Sequence, residues 1–230
     1  MTKTPQEALE WTFLGQRPYI EIWEMQRSLR QKRIQGEIAD RLLLLEHPAT
    51  ITLGRLRGEE SLRRSVEQLE EEGITVIRSD RGGDATLHAP GQIVGYLIVD
   101  LGKRGMGLPL FVETIAGALA SVLASFGIQA SYDPKFPGLW IGKDKIAAFG
   151  FHLLQGVTMH GFAFNLATDL RLFDRIVPCG LQDKGVTSLA RACRERGDLL
   201  ALPTVAALAP GLAEAIAGGL GLSCIARPLP

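Results

Sequence analysis

Cys179 sits in the run Ile176-Val177-Pro178-Cys179-Gly180. The proline keeps this segment out of a helix interior and the small glycine leaves the sulfur approachable, as a thiol nucleophile requires. Cys193 and Cys224 lie on a charged helical stretch and in a weakly patterned tail, common settings for small buried thiols. Three cysteines with no CxxC pair indicate neither a disulfide framework nor a thiolate zinc site. Because an ordinary thiol is only a few per cent thiolate at neutral pH, Cys179 would need a cation or a base beside it. His47, His88, His152, His160 and the lysines are the candidates. Lys145 stands out because Ile146-Ala147-Ala148-Phe149 follow it on a strand-like run, and a buried ammonium must find a partner or lose its proton. The alternative is that Lys145 merely ends the turn Gly142-Lys143-Asp144 with its head in water.

Arg81-Gly82-Gly83 and Pro90-Gly91 bracket Asp84-Ala85-Thr86-Leu87-His88. Paired glycines let a backbone approach a ligand and aim N–H groups at it, but they also make ordinary hairpin turns. His160-Gly161 carries the same ambiguity. No His, Asp or Glu cluster has metal-ligand spacing and no GxxxxGK[ST] occurs, so metal and P-loop chemistry are not indicated, and no cofactor is expected.

The elements that must position these residues alternate in period. A helix is expected after Pro18, through Tyr19, Trp23, Leu29 and Ile34, and short buried strands at Arg41 to Glu46 and Ala49 to Leu53. Leu62, Val66 and Leu69 predict a helix ended by Gly73. Strand patterns follow at Ile74 to Arg78, Ala85 to His88 and Ile93 to Asp100, then a helix from Pro109 to Phe126. Ile128 to Ser131, Leu139 to Ile141, Lys145 to Leu154 and Val157 to Leu166 read as strands again. Helices are expected near Ser188 and from about Thr204. Runs of strands punctuated by single helices predict one α+β domain over residues 1–230, with about seven strands to residue 190 and a small helical C-terminal lobe over 190–230.

Lysine plus arginine and aspartate plus glutamate number 25 each, so the formal net charge is zero, which argues against a nucleic-acid partner. The most apolar stretch, 204 to 226, is rich in Ala and Gly and broken by Pro210 and Glu214, unlike a membrane span. The N-terminal segment lacks the apolar run of a secretory signal, and a cytoplasmic location is expected. Two basic clusters could dock an acidic partner: Arg27, Arg30, Lys32 and Arg33, and Arg55, Arg57, Arg63 and Arg64.

Taken together, the segments LLLLEHPATITLGR (42 to 55), RGGDATLHAPGQIVGYLIVDL (81 to 101), GLWIGKDKIAAFGF (138 to 151), VTMHGFAFNLATDL (157 to 170) and IVPCGLQDKGVTSL (176 to 189) resemble the lipoyl(octanoyl) transferases. These share an α+β fold, a mixed sheet with packed helices, with lipoate and biotin ligases. The resemblance implies that Cys179 forms an acyl thioester and that Lys145 activates it. It implies an acyl site built from Arg81, Gly82, Gly83, Asp84, Ala85, Thr86, Leu87 and His88, from Ala148, Phe149 and Gly150, and from Gly161, Phe162 and Ala163. The implied donor is octanoyl-acyl carrier protein. The implied acceptors are lipoyl domains of 2-oxoacid dehydrogenase E2 subunits and the glycine-cleavage H protein. Asp84, Leu87 and Ala89 depart from the family's usual residues at positions that line the site the resemblance implies, which bears on chain-length preference. Two other readings are an ATP-dependent lipoate or biotin protein ligase, which needs no cysteine, and a non-catalytic acyl-binding module.

Overall fold

A computed structural model describes residues 7–56, 58–177, 184–198 and 202–228. Cys179, with Pro178 and Gly180, lies outside them, as does Arg57. The elements run β1 (Ala8–Gln16), α1 (Tyr19–Ile34), β2 (Asp40–Glu46), β3 (Thr50–Leu53), α2 (Val66–Glu71), β4 (Thr75–Arg78), β5 (Thr86–His88) and β6 (Gln92–Ile98). They continue through α3 (Leu101–Arg104), α4 (Leu108–Ser125), β7 (Ser131–Tyr132), β8 (Gly138–Ile141), β9 (Asp144–Leu154) and β10 (Val157–Asn165). The last are β11 (Gly185–Val186), α5 (Leu189–Glu195), α6 (Val205–Gly219) and β12 (Ser223–Ala226).

The main sheet has the order β12-β1-β2-β6-β10-β9-β8-β7, with β11 pairing beside β9, and a second sheet has the order β4-β3-β5. The main sheet is mixed: β1 runs parallel to β12 and β2, while β2–β6–β10–β9–β8 are antiparallel neighbours. The unbroken leucines of β2 are explained by burial on both faces. Leu42 and Leu44 join Ile93, Leu97, Phe111, Ile115, Leu212 and Ile216 on the side of α4 and α6, whereas Leu43 and Leu45 join Ile22, Leu29, Val94, Tyr96 and Ile98 on the side of α1. α4 is long and apolar enough by composition to cross a membrane, yet Phe111, Ile115, Leu119 and Leu123 are buried in this core.

Three expectations are corrected. Up to residue 190 the described residues contain eleven strands rather than about seven, because short strands such as β7 and β11 pair without a pattern of their own. The tail is not a separate helical lobe: α6 contributes to the main core and β12 pairs with β1, a strand for which the sequence carries no expectation. α2 begins at Val66, not Leu62, because Ser65 caps it, accepting from the Gln68 N–H while the Gln68 side chain accepts from Ser65 N–H.

Candidate active site

A cleft of about 40 Å³ opens where the second sheet meets the middle of the main one, lined by Tyr19, Arg81, Thr86, His88, Tyr96, Ala148–Gly150 and His160–Ala163. The chemistry of its walls divides in two. Ala148, Phe149, Gly150, Gly161, Phe162 and Ala163, from the paired strands β9 and β10, make an apolar slot. Tyr19, His88, Tyr96 and His160 make the polar wall. A larger groove of about 410 Å³ between α4 and β7–β8 is lined mostly by Ala, Gly and Pro and gathers none of the candidate site residues; the smaller cleft is therefore the candidate.

On β5, alternation sends Thr86 and His88 to the cleft and Leu87 into the core of the second sheet, with Ile51, Leu69 and Ala89. Asp84 is also turned away, accepting from the Ser61 hydroxyl at 2.6 Å and the Ala85 N–H at 2.7 Å. Asp84, Leu87 and Ala89 therefore do not line the cleft. Gly82, Gly83 and Ala85 do not line it either, and of the two roles open to the paired glycines Gly82 takes the structural one. Gly82 N–H donates to the Phe151 carbonyl at 3.1 Å, and a Cβ on Gly82 would meet that oxygen at 2.9 Å. Gly83 has φ +87°, and its carbonyl lies 2.3 Å from where a Cβ on Gly54 would stand. The glycines serve backbone-on-backbone packing, which brings Arg81 to the cleft. The Arg81 guanidinium is fixed by Thr52, donating from Nε to Oγ1 at 2.8 Å and from its terminal nitrogen to the Thr52 carbonyl.

The polar wall was largely missed in the sequence. His47 Nδ1–H donates to the Arg17 carbonyl at 2.6 Å, so its Nε2 accepts from the Tyr96 hydroxyl at 2.9 Å. His88 Nδ1–H donates to Gln92 Oε1 at 3.0 Å, and Gln92 Nε2 donates onward to Asn165. His160 adopts φ +62°, a left-handed conformation that costs about 1–3 kcal/mol and that histidine tolerates better than most residues. Its N–H is taken by Gln26 of α1 and its Nε2–H donates to Asp80 at 2.8 Å, while Nδ1 is buried without a partner among the described residues. Asp80 also accepts from Trp23 Nε1 at 2.9 Å and from His152 at 3.0 Å. The one signal that could have found Asp80 is an acid placed directly before Arg81-Gly82-Gly83.

Burial decides the charge states. It lowers His47 to about 4 against the opposing Arg17 carbonyl bond, and it drives His88 well below the ordinary histidine value, helped by the charges of His47 and Arg81. His160 is lowered by burial and partly restored by Asp80. Burial raises Tyr19 and Tyr96. For Asp80, burial acts upward but is outweighed by the hydrogen bond and charge of His160 and by His152, so the carboxylate is held well below its usual range. At neutral pH the wall presents neutral hydrogen-bonding groups, suited to a neutral carbonyl on an apolar chain.

Lys145 does not line the cleft. It is half-buried on β9, its Nζ lying 4.8 Å from the Trp140 ring centroid, and its stem passes over Gly138, where a Cβ would stand 2.7 Å from Cε. The chain that carries Cys179 is anchored on one side by Val177 N–H, which donates to the Ser61 carbonyl at 2.8 Å. On the other side β11 pairs in parallel with Asp144 and Lys145, and Thr187 N–H donates to the Lys145 carbonyl at 3.0 Å.

Residues 18–206 match the lipoyl protein ligase A/B catalytic domain. The octanoyltransferase of Solibacter usitatus is 48% identical over 177 residues, 77% of this chain and 80% of that protein. The octanoyltransferase of Rubrobacter xylanophilus is 45% identical over 179 residues, again 77% and 80%. Among solved structures, a bi-partite lipoate protein ligase from Thermoplasma acidophilum superposes with TM-score 0.72 at 15% identity, covering 97% of this chain and 88% of that one. A biotin protein ligase from Leishmania major superposes with TM-score 0.54 at 15% identity, covering 92% and 73%. These structural likenesses bear on the fold alone.

Proposed function

The chain belongs to the lipoyl protein ligase A/B catalytic family, with octanoyltransferases as its relatives, and from that premise we propose that it moves an octanoyl group from acyl carrier protein to a lysine of lipoyl domains through a Cys179 thioester. In the first step the Cys179 thiolate attacks the thioester carbonyl of the donor; a sulfur–carbon bond forms, another breaks, and the carrier leaves as its thiolate, which takes a proton from solvent. In the second, the lysine amine of the lipoyl domain attacks the acyl-cysteine, an amide forms and Cys179 departs as thiolate. Exchange between thioesters is nearly balanced and amide formation is downhill, so neither ATP nor a metal is needed. Lys145 stabilises the thiolate in the free enzyme and, once neutral, takes the proton of the incoming amine. The apolar slot of β9 and β10 receives the acyl chain, and Thr86, His88 and Arg81 border its reacting end. The E2 subunits and the glycine-cleavage H protein are the acceptors in this reading, and the cytoplasm is the location.

One observation carries this over an ATP-dependent ligase: relatives of 45–48% identity that span four fifths of their own length are octanoyltransferases. The placement of β11 beside Lys145 supports the role of the cysteine segment. The test is transfer from octanoyl-acyl carrier protein to an apo lipoyl domain without nucleotide. The account expects full activity without ATP and loss of at least about 100-fold in Cys179→Ser. Activity that requires ATP and free octanoate and survives Cys179→Ser would establish the ligase reading instead.

A further inference from the structure

Lys145 shares the Trp140 ring with a second lysine. Its Nζ lies 4.8 Å from the ring centroid and that of Lys184 lies 4.3 Å from the same point, which bounds the separation of the two ammonium groups at about 9 Å. Lys184 also sits 3.8 Å from the centroid of Phe136. The arrangement is built. Trp140 Nε1 donates to the Phe136 carbonyl at 3.1 Å, fixing the indole, and Lys184 directly precedes β11, which pairs with Lys145 itself.

We propose that Lys184 is a positioning residue for the second step: its charge tips Lys145 toward the neutral form once Cys179 is acylated. The inference rests on the reading of Lys145 given above. In the free enzyme the thiolate offsets repulsion between the two cations and keeps Lys145 charged. Acylation removes that negative charge, and the like charge across Trp140 then favours release of a proton from Lys145. Among the described residues the acid beside the pair is Asp133, whose carboxylate is 3.9 Å from Lys184 Nζ, while Asp144, which precedes Lys145 on β9, sets its carboxylate against Gly185 of β11. From β8 the neighbour is Trp140, and β11 brings only Gly185 and Val186, so Lys184 is the cation set against Lys145 among the described residues.

The test is single-turnover release of the octanoyl-enzyme, formed with a small octanoyl thioester, by hydroxylamine, an amine already neutral across the pH range used. In the native protein the rate should rise along a limb that reports loss of the Lys145 proton, and Lys145→Met should abolish the limb. Lys184→Met should move its midpoint up by about half a pH unit, slow release about threefold below the midpoint and leave the high-pH plateau unchanged. Lys184→Arg should restore the native profile. An unmoved midpoint in Lys184→Met, with the limb still lost in Lys145→Met, overturns the role of Lys184 and leaves that of Lys145 standing. A uniform loss at every pH that Lys184→Arg does not rescue also overturns it. A limb that persists in Lys145→Met overturns the reading of Lys145 itself.

Discussion

Tyr19, His88, Tyr96 and His160 hold no net charge at neutral pH because each is buried, and for His160 burial outweighs the opposing pull of Asp80. This has a measurable consequence for stability. His47 titrates near its ordinary 6.5 when unfolded and near about 4 when folded, so below pH 6.5 the unfolded chain binds the proton first. Its contribution is fully present above pH 6.5 and is lost as pH falls through about 4, a difference of about 3 kcal/mol. His47→Gln should flatten the acid limb of urea-unfolding stability between these values by a comparable amount, His88 retaining its own share; an unchanged limb would mean His47 is protonated in the folded state. Lys145→Met should fold normally, lose transfer at least about 100-fold and shift the alkylation profile of Cys179 to higher pH. An unshifted profile would remove Lys145 as the group that sets the thiol. At this scale the motif was legible, since Thr86 and His88 reach the cleft as strand alternation requires. The histidine network was not, because the left-handed turn at His160 and the contact of α1 with Asp80 depend on residues about 50 to 130 positions apart.

The elements are locked by a charged knot at one end of β2. Asp40, almost fully buried, accepts from Arg33 of α1 at 2.8 Å, from Arg104 of α3 at 2.7 Å and from the Asp100 N–H at 3.1 Å. Asp40→Ala leaves two arginines facing a hole where their acid stood and should cost about 3–5 kcal/mol, read from denaturant midpoints; a loss below about 1 kcal/mol would show that water replaces the carboxylate. Gly138→Ala is the gentler element-scale test. Its new methyl must displace the end of the Lys145 side chain, so transfer should fall at least about tenfold while the melting temperature stays close to native. Equal loss of stability would place the strain in β8 instead. Central elements were legible because burial writes itself into composition: four leucines for β2, a long apolar face for α4. β1 and β12 were not, since their pairing joins Ala8–Trp11 to Ser223–Ala226, segments more than 200 residues apart, and β12, the edge strand, needs no continuous apolar pattern.

The molecule as a whole is neutral, so the proposed use of an acidic carrier protein as donor requires a local basic patch. Half of the first basic cluster is spent inside the fold: Arg33 holds Asp40 and Asp100 and Arg30 packs near His152, while Arg27, over Trp23 at 4.1 Å, and Lys32 are exposed. In the second, Arg64 pairs with Glu72, whereas Arg55 and Arg63 are exposed and Leu56 is 76% exposed between Arg55 and Arg57. Backbone bonds tie Arg55 and Leu56 to Arg81 and Gly83, so this loop stands over the cleft segment. Arg55→Glu with Arg63→Glu should raise KM for octanoyl-acyl carrier protein and flatten its salt dependence, leaving turnover of a small octanoyl thioester unchanged; equal losses with both donors would assign the pair to the cleft. The central claim is a covalent acyl-enzyme, and it is tested most directly by mixing the full chain with octanoyl-acyl carrier protein, withholding the acceptor, and mapping the adduct by peptide mass spectrometry. The account predicts one octanoyl group, on Cys179, discharged when the lipoyl domain is added. An adduct on Cys193 or Cys224, or transfer to the lipoyl domain with no octanoyl-enzyme at any time, would contradict it.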